Sequence, residues 1–278
     1  MQIPDLDRVD HRLPPHGLEQ LERDGFAGPF AVEDMATVRA LREAAERSGR
    51  SDLVRRLAKK LGIGSAGDIH QRDSHTRSPE IHRLASCPEI VERVAGVLGP
   101  DLLLWIGLVI SRSPGNKGQH WHRDRISVLL DAVHVTLALS PMTVRNGATK
   151  IVPGSHAYPH SLQQSRRDGL CDLGDDDDVT RFADTIAPRN APHEAVTVEL
   201  EPGQFIVARA GFWHAVPPNT SDGVRSALIA RYMRPDVASK HWSDDDAGEV
   251  VVDNSSLPCI LVRGEDRHGL NTLCPPPT

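Results

Sequence analysis

The sequence lacks the marks of several protein classes. It has no Cys-x-x-Cys pair: its 4 cysteines, Cys87, Cys171, Cys259 and Cys274, stand far apart. That spacing disfavours a zinc knuckle and a dense disulfide framework, and a reducing, cytoplasmic setting is expected. There is no excess of positive charge. Lys and Arg number 32 against 38 Asp and Glu, for a net charge of -6. The electrostatic footprint for nucleic acid or an anionic membrane surface is therefore missing. No run reaches the roughly 18 apolar residues of a membrane span. The first 15 residues have no basic segment followed by an apolar one, so no secretory signal is expected. No internal repeat is visible.

What is present is 278 residues, 39% of them hydrophobic, enough to bury a sizeable core. Residues 1–100 read as mostly helical. Helical stripes or caps mark 17–24, 33–48, 53–61 and 88–98, with a short strand at 26–32. From residue 101 the period shortens. Strands are expected at 102–110, 126–130, 133–139, 148–152, 195–200, 205–208 and 226–232. Short strands parted by Gly, Pro and Asn signals indicate an antiparallel sandwich or barrel rather than βαβ units. Residues 157–194 break this rhythm and read as a lid-like insert, and 236–278 read as an outer wrap. One domain over 1–278 accommodates all of this.

The chemistry concentrates in two places. In Gln119-His120-Trp121-His122-Arg123-Asp124, His122 and Asp124 are two apart, so a strand would present both on one face. His214 follows Gly211-Phe212-Trp213 and precedes a Pro217-Pro218-Asn219 turn. Two imidazoles and one carboxylate on one side of a metal leave positions open for a 2-oxo acid and dioxygen, the arrangement of non-haem iron(II) oxygenases. A structural zinc site closes all four. Arg225 lies 11 residues after His214 (225 minus 214). A hairpin of that length would return its guanidinium beside the metal, fitted to clamp the distal carboxylate of 2-oxoglutarate. A cupin-type ligand set using His120 and His122 is the alternative, one that needs no 2-oxo acid. His156 is expected to close a turn.

These segments resemble the phytanoyl-CoA dioxygenase family of Fe(II)/2-oxoglutarate-dependent oxygenases. The resemblance rests on Trp121-His122-Arg123-Asp124, on Asn146-Gly147-Ala148-Thr149-Lys150-Ile151-Val152-Pro153-Gly154-Ser155-His156, and on Glu201-Pro202-Gly203-Gln204-Phe205. Phe212-Trp213-His214 and then Asn219, Arg225 and Tyr232 complete it. It implies a mainly β fold: a double-stranded β-helix, the cupin-like jelly roll, with flanking helices. It implies Fe(2+) held by His122, Asp124 and His214, with 2-oxoglutarate anchored by Arg225 and O2 as co-substrate. Gln119 and Thr136 are further candidates for cosubstrate contact. Relatives that halogenate carry a small residue in place of the metal-binding acid, so Asp124 disfavours halogenation.

The expected substrate is a small-molecule natural product of secondary metabolism such as an antibiotic precursor, oxidised by hydroxylation or ring closure. Asp175, Asp176, Asp177 and Asp178 in the insert are read as a funnel for a cationic, amino-sugar-like molecule, and Trp213 as a pocket wall. The competing reading is a non-catalytic metabolite-binding jelly roll. The oligomeric state is left open.

Overall fold

The period-two alternation of the strands sets the architecture. In β4 (Val133–Ala138), Val133, Val135 and Leu137 join one buried cluster, and Ala138 on the other face joins a second. β7 (Gln204–Arg209) and β9 (Arg225–Met233) repeat the pattern. Phe205, Val207, Leu228, Ala230 and Tyr232 point one way, and Ile206, Ala208 and Ala227 the other. Strands apolar on both faces must be covered on both. This computed structural model describes residues 10–60, 73–124, 131–158, 162–188, 193–245, 248–253, 255 and 257–278.

With β1 (Phe26–Ala31), β2 (Leu102–Arg112) and β12 (Ile260–Arg263), these strands form a six-stranded antiparallel sheet in the order β1-β7-β4-β9-β2-β12. Its outer face is covered by α2 (Met35–Lys60), α3 (Pro79–Ala85) and α4 (Pro88–Leu98), through Val38, Leu41, Ile81, Leu84, Ile90 and Val94. Each such side chain contributes about 1.5–3 kcal/mol on burial. Facing the inner side is a four-stranded sheet in the order β3-β8-β5-β6, built from Gln119–Arg123, Trp213–Val216, Thr149–Val152 and Val196–Val198. Ile151, Met142 and Phe212 pack across the gap against Ala138, Ile206 and Ala227. Two antiparallel sheets packed in this way make the cupin-like jelly roll. α1 (Pro15–Asp24) stops at Gly25, whose φ of 80° suits only a residue without Cβ.

Several expectations need correction. The two helices expected at 33–48 and 53–61 are one continuous helix, α2, because Gly49 in mid-helix does not break it. α3 is a further helix, which Ser78 caps by accepting from the Ile81 N–H at 3.2 Å and Pro79 opens. β8 and β9 do not form a hairpin. They lie in different sheets, so the chain crosses the sandwich between His214 and Arg225. The C-terminal region is more than a wrap, since β10 (Lys240–Asp245) and β11 (Gly248–Asp253) pair and β12 supplies an edge strand to the large sheet. The strand expected at 126–130 lies outside the described residues. Among the described residues, no helix is long and apolar enough to cross a membrane.

Candidate metal centre

The antiparallel register of β3 and β8 places His122 directly opposite His214, with ring centroids 4.0 Å apart. Asp124 follows β3 by one residue and returns to the same side. One candidate ligand atom from each of His122, Asp124 and His214 lies within 4.8 Å of the others. The carboxylate Oδ1 stands 3.7 Å from His122 Nε2. Alternation sends Trp121 and Trp213, the neighbours of the two histidines, to the opposite face of the sheet.

Backbone carbonyls fix the imidazoles. His122 Nδ1 meets the His120 carbonyl at 2.8 Å, and His214 Nδ1 meets the Phe212 carbonyl at 3.2 Å. A carbonyl only accepts, so each Nδ1 carries the proton and each Nε2 keeps its lone pair for a metal. The Gln119 amide donates to that lone pair on His122 at 3.0 Å.

The electrostatics agree. Burial pushes the His214 pKa down to about 3, the neighbouring His122 pushes the same way, and Asp124 opposes. Burial alone would raise Asp124. The Arg231 guanidinium, followed by His214, His134 and His122, more than reverses this and holds the carboxyl far below its usual range. A neutral His214 imidazole and an ionised Asp124 carboxylate fit a divalent cation without prior deprotonation. Arg231 takes Asp124 Oδ2 in an ion pair, with His134 Nδ1 3.8 Å from the same oxygen. Oδ1 is thereby left to face the imidazoles.

Arg225 sits on the inner face of β9, 3% exposed. Its Nη2 contacts Met142 Sδ at 3.6 Å, its Nε has no hydrogen-bond partner, and no ion pair to it is found among the described residues. Burial, then the nearby Arg112 charge, push its pKa down to about 10. Gln119 bridges Arg112 Nη2, at 3.3 Å, to His122. Thr136 pairs with Ile206 and Ile229 and shares the inner face with His134. Arg231 and Arg112 are not among the residues the sequence points to. Arg231 was findable: six residues past Arg225, an even spacing, it shares that residue's face.

The substrate candidates are placed elsewhere. The insert forms α5 (Leu162–Arg167) and α6 (Asp176–Ile186), and α6 packs on the outer face of the small sheet, away from the metal ligands. Asp175 caps α6 by accepting from the N–H groups of Asp177 and Asp178 at 2.8 and 3.0 Å. Asp176 accepts the Trp121 indole N–H at 2.7 Å and pairs with Lys150, while Asp178 pairs with Arg181 at 2.8 Å. Asp177 adds negative charge to the first turn, where the helix dipole favours it. The four aspartates open a helix and do not line a funnel. Trp213, fully buried between Tyr158 and Phe182 at centroid distances of 5.1 and 6.0 Å, is core and not a pocket wall. His120 is exposed and lies outside the ligand cluster, against the cupin-type set. His156 packs on Gly25, where a Cβ would come within 2.4 Å of its Nδ1.

Comparison with known proteins adds the family. The chain is 29% identical over 164 residues to Dioxygenase af480 of Aspergillus fumigatus, a match covering 56% of this chain and 46% of that protein. It spans about half the length, or less, of the first relatives it matches, 46%, 37% and 53% of them. Among solved structures, it resembles the non-haem monooxygenase ThoJ–Ni complex with a TM-score of 0.61 at 23% identity, over 93% of this chain and 88% of that one. CytC3 with Fe(II) and alpha-ketoglutarate gives a TM-score of 0.61 at 20% identity, over 96% and 95%. These two share the fold. Residues 21–227 match the sequence pattern of phytanoyl-CoA dioxygenase, and the chain belongs to that family of Fe(II)/2-oxoglutarate-dependent oxygenases.

Proposed function

We propose that this protein oxidises an unactivated C–H bond of a small-molecule natural product, by hydroxylation or oxidative ring closure, with His122, Asp124 and His214 as the metal ligands and Arg225 as the cosubstrate anchor. Iron(II) bound there, with 2-oxoglutarate and dioxygen, supplies oxidative decarboxylation to succinate and carbon dioxide, coupled to that oxidation. The single observation that carries the reading is a buried guanidinium with no carboxylate partner among the described residues, in the same inter-sheet space as three convergent ligand atoms. A buried cation calls for an anion, and a diacid that also reaches the metal meets both demands.

The chain's own residues divide the work. The carbonyls of His120 and Phe212 hold both imidazoles in the Nδ1–H tautomer. Arg231 occupies Oδ2 of Asp124, so the carboxylate offers one oxygen and fills one position. Phe212 stacks on His214 at a centroid distance of 4.6 Å and, with Met142, Ile151 and Ala227, excludes water from one side. Were the His122 lone pair given to a metal, the Gln119 amide that now meets it would be free to meet the cosubstrate. Thr136 offers a hydroxyl from the inner face of β4. Asp124 occupies the position a halide would need, which supports oxygenation over halogenation. The free cysteines suit a reducing, cytoplasmic setting. The acidic cluster, now placed as a helix start, gives no ground for a cationic substrate.

Iron-dependent release of succinate from 2-oxoglutarate, measured without prime substrate, tests the reading. Slow uncoupled release that disappears on chelation is the expected result. Tight iron binding with no succinate and no 2-oxoglutarate affinity would favour a metabolite-binding jelly roll or a cupin without a 2-oxo acid.

A further inference from the structure

Arg225 is not the only cation at its end of the site. The register of β2 and β9 sets Arg112 directly opposite it. Directly opposed residues of an antiparallel pair share a face, with Cβ atoms about 4.5–5.5 Å apart, and like charges there are destabilising. Burial lowers the pKa of both guanidiniums. Other arginines in this protein face a carboxylate: Arg231 with Asp124, Arg209 with Glu22, and Arg263 with Glu92. These two show no such partner among the described residues. Among the described residues, Arg112 donates to neutral oxygens, Asn116 Oδ1 at 3.1 Å and Gln119 Oε1 at 3.3 Å, and neither Nε has a partner. Two half-satisfied, mutually repelling cations side by side are costly in the ligand-free fold.

We propose that Arg112 is a second anchor for the cosubstrate, so that the distal carboxylate of the 2-oxo diacid is held between the guanidiniums of Arg112 and Arg225. The inference rests on the proposed function above and deepens it. Its geometry suits a short diacid. Arg112 reaches His122 Nε2 through two hydrogen bonds, by way of Gln119. A molecule bound to the metal at one end would therefore have Arg112 within a few carbons of the other, with Arg225 directly opposite Arg112.

Calorimetry on manganese-loaded protein without oxygen tests this, with 2-oxoglutarate and, as a probe lacking the distal carboxylate, 2-oxobutyrate. Arg112→Gln is expected to weaken 2-oxoglutarate by about 10–100-fold, the worth of a hydrogen bond to a charged group, and to leave 2-oxobutyrate unchanged within about twofold. Arg112→Lys should recover part of the loss. Ligand-free Arg112→Gln should melt a few degrees higher than the parent, because one of two opposed charges is gone, which a merely structural arginine would not give. Unchanged 2-oxoglutarate affinity in Arg112→Gln, with a large loss in Arg225→Gln, overturns the second anchor and leaves the proposed function standing. If neither variant alters binding, and the parent binds both acids alike, the proposed function fails with it.

Discussion

Two arginines on one face of β9 make the most instructive pair in the molecule. Arg231 meets a carboxylate from its own chain, Asp124. Arg225, more deeply buried, meets a thioether and a second cation. The protein supplies the counter-charge at one end, where it must hold a metal ligand, and withholds it at the other. A buried charge is tolerated when paired, so the unpaired end marks where an anion from outside completes the structure.

Asp124→Ala should have the largest effect. It removes a ligand and strands Arg231, so metal affinity should fall by more than the roughly 10–100-fold that partners of a ligand are worth, and succinate release should cease. Iron binding like the parent's, by anaerobic titration, would remove Asp124 from the ligand set. Next come the arginines themselves, and here the comparison predicts opposite signs. Arg225→Leu should weaken 2-oxoglutarate by about 10–100-fold while making the ligand-free protein more stable to denaturant. Arg231→Leu should destabilise the ligand-free protein, by about 1–3 kcal/mol for an acceptor left unsatisfied, and weaken metal binding. Losses of stability in both variants would erase the distinction.

A smaller effect concerns pH. The native His214 pKa is about 3, against roughly 6.5 in the unfolded chain. The unfolded state therefore takes up a proton first as pH falls. The metal-free protein should lose stability between about pH 6.5 and pH 3, with buried His134 acting in the same direction. Stability measured by denaturant that stays flat across this window would contradict neutral, buried ligands. The smallest effect lies at the far side of the small sheet. Asp175→Ala removes the cap of α6 and should cost about 1 kcal/mol without changing the KM for 2-oxoglutarate or for the substrate. A clear rise in KM for the substrate would restore the acidic residues to the site.

Much of this was legible in the sequence, and the reasons differ by residue. His122 and Asp124 could be read because their spacing equals the repeat of a strand. His214 could be read because an aromatic run and a proline turn bracket it. Arg225 is proposed as a cation of the site, but the hairpin expected to bring it there does not form, since its strand belongs to the opposite sheet. Pairing across a sandwich leaves no local trace. Arg231 follows from its even spacing after Arg225, whereas Arg112 becomes visible only through register, which depends on which strands are neighbours. The acidic run opens a helix instead of the expected funnel, because charge composition does not tell which face a segment covers. Asp175 followed by three aspartates in the first turn is equally the signature of a helix start. The packing role of Trp213 was legible too, since the alternation that puts His214 inward sends its neighbour outward.

The central claim is that three ligand atoms and one unpaired guanidinium are arranged around a single metal and a single diacid. Anomalous diffraction from crystals loaded with iron(II) and 2-oxoglutarate without oxygen tests it most directly. One iron peak within bonding distance of His122 Nε2, His214 Nε2 and Asp124 Oδ1, with the distal carboxylate on Arg225, is the predicted result. Iron bound elsewhere, or a diacid that leaves Arg225 without an anion, would contradict it.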